Sequence, residues 1–173
     1  MKFSLLTSWK SEKVLFTSDI KKENLFLLMK DYNNTCKNLT IFEKLQKKEN
    51  LDVFVKSNFD IEAQKFWQFL QFPGFGMTAK LKGKLSDENS KSKIEAIISV
   101  HFTLKLVFWT FSFIGLTSIA LTLVTEMFTI ENTLLTSLFF LSFALAFLIY
   151  FRLYKNSLLT TFSNVFGLTK LAT

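Results

Sequence analysis

The apolar positions change rhythm once along the chain. Up to about residue 101 they come in short bursts at periods of two or three to four, set among charged residues; beyond that they are almost continuous. Residues 106–125 and 132–151 form two runs of 20, each without a charge. At 1.5 Å rise per residue a helix of that length spans about 30 Å, the hydrocarbon thickness of a bilayer. Neither run carries a polar stripe. In FFLSFALAFLIYF (139–151) no polar residue recurs every three or four positions, whereas a helix packed on a soluble core shows such a stripe. The 105 residues upstream are too few to enclose two helices that are apolar all round. The pattern predicts a transmembrane helical hairpin over 102–153, with spans at about 103–125 and 132–153. The opening MKFSLLTSWK has only Phe3 to Leu6 as an apolar run, too short for a secretory signal.

Residues 1–101 read as a small α+β domain of one or two helices and an antiparallel sheet of about four strands. Ser18 or Asp19 can cap a helix over about 19–31, in which Ile20, Leu25, Leu28 and Met29 share a face. In KNLTIFEKL and NLDVFVKS, Leu39 and Ile41, then Leu51, Val53 and Val55, alternate with polar positions, so KKEN reads as the turn of a first hairpin. A second hairpin sets Met77, Ala79, Leu81 and Leu85 against Thr78, Lys80, Lys82 and Lys84. It turns through SDENSKS and returns with Ile94, Ala96, Ile98, Val100 and Phe102 on one face. The returning strand enters the first span with no Gly, Ser or Pro spacer, which holds the domain close to the bilayer. Between the hairpins, DIEAQKFWQFLQFPGFGM fits a helix capped by Asp60 or an imperfect strand. After the spans, residues 154–173 predict an amphipathic helix with Leu158, Leu159, Phe162, Val165 and Phe166 on one side and Gly167 as its stop. It lies along the cytoplasmic surface or folds back on the domain.

Charge orients the scheme. Eighteen of the 21 basic residues and 12 of the 14 acids precede the first span, a net +6; the connector EMFTIE carries −2 and the segment from Arg152 onward +3. Basic flanks stay on the cytoplasmic side, so both termini are expected there, with Lys105, Arg152 and Lys155 reaching the headgroups. The lone Cys36 suits a reducing compartment and reads as a structural thiol.

The same composition argues against several activities. With a single His, His101, and no Cys or His pair at ligand spacing, no metal or cofactor is expected. FPGFGMTAK lacks the Gly-Lys-Ser/Thr ending of a phosphate loop. Asp60 with Glu62 and Asp87 with Glu88 read as caps and turns, and no charge lies at mid-depth in either span to carry a proton or ion. A pI of about 9.5 raises nucleic acid as a ligand, but the basic residues are interspersed with acids and only one is Arg, the residue suited to bidentate phosphate recognition. The chain is therefore expected to be non-enzymatic and not to bind nucleic acid.

Two sets of residues are candidates for contact. Phe66, Trp67, Phe69, Phe72 and Phe75 lie within ten positions; aromatic residues at such spacing are more often core, and the functional reading is an aromatic loop in the headgroup layer beside Lys80, Lys82 and Lys84. In the spans, Ser112, Gly115 and Ser118, with Ser137, Ser142 and Ala144, offer small positions for close helix approach. The order of parts, with a GKL strand (Gly83, Lys84), a polar turn, KIEAIISVHF (Lys93, Ile94, His101), a two-span hairpin and an amphipathic tail, resembles a loose group of small uncharacterised bacterial membrane proteins common in the Bacteroidetes. The resemblance covers roughly 77–173 and departs from the group's pattern at the turn, which lacks Asn-Gly. It implies the architecture and a bacterial inner membrane, and no activity. The expected function is a membrane-anchored interaction module or accessory subunit of a larger membrane complex, with membrane lipid and a protein as partners. The alternative is a lipid or lipophilic-ligand binder at the cytoplasmic leaflet.

Overall fold

The computed structural model describes residues 10–37, 51–66, 77–88, 91–100, 102–124 and 130–171. They form two compact units, one built on Phe102–Arg152 and the other on Lys10–His101 together with Leu153–Thr173. The fold is α+β: an antiparallel sheet and three helices, two of them long and apolar.

The sheet has six strands in the order β2-β3-β4-β5-β1-β6. These are β1 (Glu12–Ser18), β2 (Leu51–Val55), β3 (Asp60–Phe66), β4 (Met77–Glu88), β5 (Lys91–Val100) and β6 (Thr169–Leu171). Its centre is the β4–β5 hairpin, in register from Ala79 opposite Val100 to Glu88 opposite Lys91. Gly83 faces Ala96 there, and a Cβ on Gly83 would lie 2.9 Å from the Ala96 Cβ and 3.0 Å from the Glu95 carbonyl oxygen. The strand pair closes that tightly only with glycine at this position. Leu81, Leu85, Ile94, Ala96 and Ile98 are buried on one face, as the period of two requires.

Two parts of the sheet add to or decide the sequence-based expectation. Val14 and Phe16 of β1 are buried while Leu15 and Thr17 are half-buried; apolar Leu15 on the opposite face weakens the alternation. The stretch from Asp60 is strand β3, not a capped helix, and pairs with β2 through the turn Ser57–Phe59. In that turn Asn58 and Phe59 have φ of 70° and 62°, an uncommon conformation for a non-glycine residue. The Phe59 ring is held 4.9 Å from that of Phe26, with the Lys22 ammonium 4.2 Å from its centroid. The partner strand expected over 39–43 lies outside the described residues.

Helix α1 (Lys22–Lys37) starts later and runs further than the periodicity predicts, and turns Leu25, Met29, Asn33 and Cys36 inward while Leu28 faces out. Ser18 caps no helix; its hydroxyl accepts the Ile20 N–H at 3.2 Å. Helix α2 (Phe102–Val124) follows β5 after one intervening residue, and α3 (Ile130–Phe166) is 37 residues long. At 1.5 Å per residue α3 measures about 55 Å, well beyond a hydrocarbon layer.

The expected separate tail helix is the last four turns of α3. No Pro or Gly interrupts 130–166, so nothing stops the helix until Gly167, which takes a left-handed φ of 60°. From Leu153 on, α3 belongs to the sheet unit. Leu158, Leu159, Phe162 and Phe166 are buried there. The Phe162 ring lies 5.6 Å from Phe16, and Phe166 lies 5.4 Å from Tyr32 of α1. The chain then adds β6 beside β1, Thr169 opposite Thr17 and Leu171 opposite Leu15. Lys155 is also part of this core, only 3% exposed, with its Nζ donating to Glu12 Oε1 at 2.8 Å and to the Lys10 carbonyl. A buried ammonium needs an anion, and β1 supplies one where the charge pattern alone assigns Lys155 to the headgroups.

Candidate functional site

The sheet carries the three lysines singled out from the sequence on the face opposite its core. Alternation along β4 buries Ala79, Leu81 and Leu85 and directs Lys80, Lys82 and Lys84 outward. The same alternation on β3 brings Glu62 opposite Lys82. Glu62 is the electrostatic centre of this face. Its carboxylate meets Lys80, Lys56 at 3.3 Å and Lys82 at 3.9 Å. Lys80 has its pKa lowered from 10.5, first by burial and then by the charges of Lys82 and Lys56. On β5, Lys93 has its pKa raised by hydrogen bonds to Glu88 and Glu95. An open depression of about 350 Å³ lies among Lys56, Asp60, Glu62, Lys82, Lys84 and Ile97. Ile97 and Phe54, both exposed, add apolar surface to this face. One half-buried carboxylate shared among three cations is an ion-pair network.

Of the aromatic set, Trp67, Phe69, Phe72 and Phe75 lie outside the described residues. Phe66 ends β3, its backbone opposite Met77 after a register shift. The acyl pocket that these side chains would line therefore has no structural description.

In the helical unit, α2 and α3 meet at close quarters. Gly115 is buried, and a Cβ there would lie 3.0 Å from Leu141 Cγ and 3.4 Å from Phe140 Cβ. Ser137 and Ala144 are buried too, Ser112 and Ser118 are half-buried, and Ser142 faces outward. The hydroxyls of Ser112, Ser118 and Ser142 donate to carbonyls three or four residues back on their own helices. Aromatic packing supplies the rest of the seam: Phe111 stacks on Phe143 at 5.5 Å and 12°, and Phe108 lies 6.3 Å from Phe151. The opposite sides of both helices are covered by exposed apolar groups, among them Phe102, Trp109, Phe113, Leu135, Leu138 and Phe139.

Cys36 is buried, its Sγ 3.9 Å from the Leu51 carbonyl oxygen. Among the described residues no three His, Cys, Asp or Glu side chains gather as a metal-ligand set. No protein-family model, no curated protein and no solved structure matches the chain.

Proposed function

We propose that this is a non-enzymatic integral membrane protein in which α2 and the first part of α3 cross the bilayer, and that the sheet unit serves a larger membrane complex as an interaction module. The observation that carries the reading is the exposed apolar covering of the two helices. Phe102, Phe113, Leu135 and Leu138 are each 65–72% exposed, along helices in which only 11% and 22% of the apolar windows are buried. Each large apolar side chain gains about 1.5–3 kcal/mol on leaving water, so a covering of more than a dozen such groups requires an apolar surrounding on the order of tens of kcal/mol. Lipid provides it along 106–125 and 132–151, which hold no charge.

The net charges of +6 up to and including Lys105, −2 over 126–131 and +3 after Phe151 favour both ends in the cytoplasm, and a bacterial inner membrane suits that layout. A module of this kind contacts its protein partner through the outer sheet face, where Phe54 and Ile97 sit among Lys56, Lys80, Lys82 and Lys84.

The test uses Trp109, which is exposed on α2. In a Trp9→Phe/Trp67→Phe double variant it is the single tryptophan, and acyl-chain-brominated phosphatidylcholine should quench its emission strongly after reconstitution. An unquenched Trp109, together with elution as a soluble species without detergent, refutes the membrane reading. Mass spectrometry of material purified from membranes in mild detergent tests the accessory role, and a chain that emerges alone counts against it.

A further inference from the structure

Among the described residues, the lysines of the sheet unit that are half-buried or buried follow one rule, with one exception. Lys22 meets Asp87, Lys80 meets Glu62, Lys93 meets Glu88 and Glu95, and Lys155 meets Glu12. Lys65 is half-buried and meets no carboxylate among the described residues. It stands on β3 two positions after Ala63 and four after Ile61, on the face that those residues bury. Burial lowers its pKa from 10.5, as expected of an ammonium withdrawn from water without a counter-ion.

Its partners are hydroxyls. Lys65 Nζ lies 2.8 Å from Ser157 Oγ and 2.9 Å from Thr161 Oγ1, which stand one turn apart on α3. The Tyr154 hydroxyl donates to the Lys65 carbonyl and anchors the strand at this point. A lysine ammonium has three N–H donors and no acceptor; two of the three go to these oxygens and one is left. Ser157 and Thr161 accept from the lysine, so each keeps its own O–H to give. Neither donates to a carbonyl one turn back, as Thr35, Ser112 and Ser163 do. Among the described residues, three donors and one positive charge thus converge with no acceptor to receive them, and the residues that bear them are each half-buried, within reach of solvent. That is the complement of a tetrahedral oxyanion, which offers several acceptors and the missing negative charge.

We propose that Lys65, Ser157 and Thr161 form a binding site for a phosphate oxyanion, carried by a phospholipid headgroup or by a soluble phosphate. The site does not rest on the membrane reading, because a soluble phosphate needs no bilayer.

The test is lysine footprinting of the full-length protein: trace acetic anhydride, with each amine read by mass spectrometry and exposed Lys84 as internal reference. One arm compares nanodiscs of phosphatidylcholine with discs that also hold phosphatidic acid; the other titrates inorganic phosphate into detergent-solubilised protein. Occupancy should slow acetylation of Lys65 about tenfold relative to Lys84, the scale of one charge-assisted hydrogen bond. Protection by phosphatidic acid alone assigns the site to a headgroup, and protection by inorganic phosphate assigns it to a soluble ligand. No selective protection in either arm overturns the proposal. Thr161→Val, which keeps the side-chain shape, should weaken phosphatidic acid or phosphate binding several-fold with an unchanged circular-dichroism spectrum, and Lys65→Met should abolish it. Wild-type binding by a folded Thr161→Val protein equally overturns it.

Discussion

Replacing Phe162 by Ala tests whether the end of α3 is structural core. The side chain is fully buried, and its ring packs edge-on against Phe16 at 5.6 Å and Phe166 at 5.3 Å. Phe→Ala at such a position costs about 3–5 kcal/mol, from lost transfer energy and the cavity left behind. That is a large share of the roughly 5–15 kcal/mol that holds a domain folded. Cys36 makes the loss measurable, since it is the chain's single thiol and is buried on α1. A maleimide reaches it only when the unit opens. With opening in rapid equilibrium, 1.4 kcal/mol is a factor of ten, so Phe162→Ala should speed labelling by roughly a hundredfold to a few thousandfold. Asn164→Ala, at an exposed position on the same helix, should change the rate by about twofold or less. Equal rates for the two variants would refute the placement of α3 and α1 in one cooperative core.

Other perturbations give distinct outcomes. Gly83→Val forces a branched side chain into the 2.9 Å gap before Ala96 and should destabilise the sheet by about 1–3 kcal/mol or more, seen as earlier proteolysis in a denaturant series. Glu12→Gln leaves the Lys155 ammonium buried without its carboxylate, and a loss of about 1–3 kcal/mol is expected in the Cys36 assay. Lys65→Met should alter the pH profile of stability. Between the lowered folded pKa of Lys65 and the ordinary 10.5, the unfolded chain holds the extra proton, so wild-type stability gains with rising pH there. Subtracting the Lys65→Met profile should isolate that gain, and coincident profiles would contradict it.

What the sequence made legible follows from how local each signal is. Two 20-residue uncharged runs announce α2 and the first part of α3, because length and charge are read along one segment. Leu81, Leu85, Ile94 and Ile98 announce β4 and β5, because one face of that hairpin is buried and the other wet. β1 escaped because Leu15 and Thr17 are themselves half-buried, which blurs the period of two. β3 read equally as a helix because Ala63, Phe66 and Phe69 fall three apart, and pairing of Asp60–Phe66 with β2 and β4 decides for the strand. β6, three residues long, is below any periodicity. The amphipathic end of α3 was visible as an apolar stripe, yet only the pairing of Phe162 with Phe16 shows what that stripe covers. Lys82 and Lys84 are outward-facing by simple alternation, whereas Lys65 and Ser157 are separated by 92 positions and share no pattern that a linear reading can detect.

The circular arrangement of the sheet unit also sets a schedule for its biosynthesis. β1 is among the first described segments to leave the ribosome, but its neighbours β5 and β6 and the covering Phe162 come much later. Roughly 70 residues separate Val100 from Leu171, which at about 5–20 residues per second takes about 4–14 s to translate. Throughout that interval Val14 and Phe16 lack their final cover, and both long apolar helices are translated before the sheet unit can close.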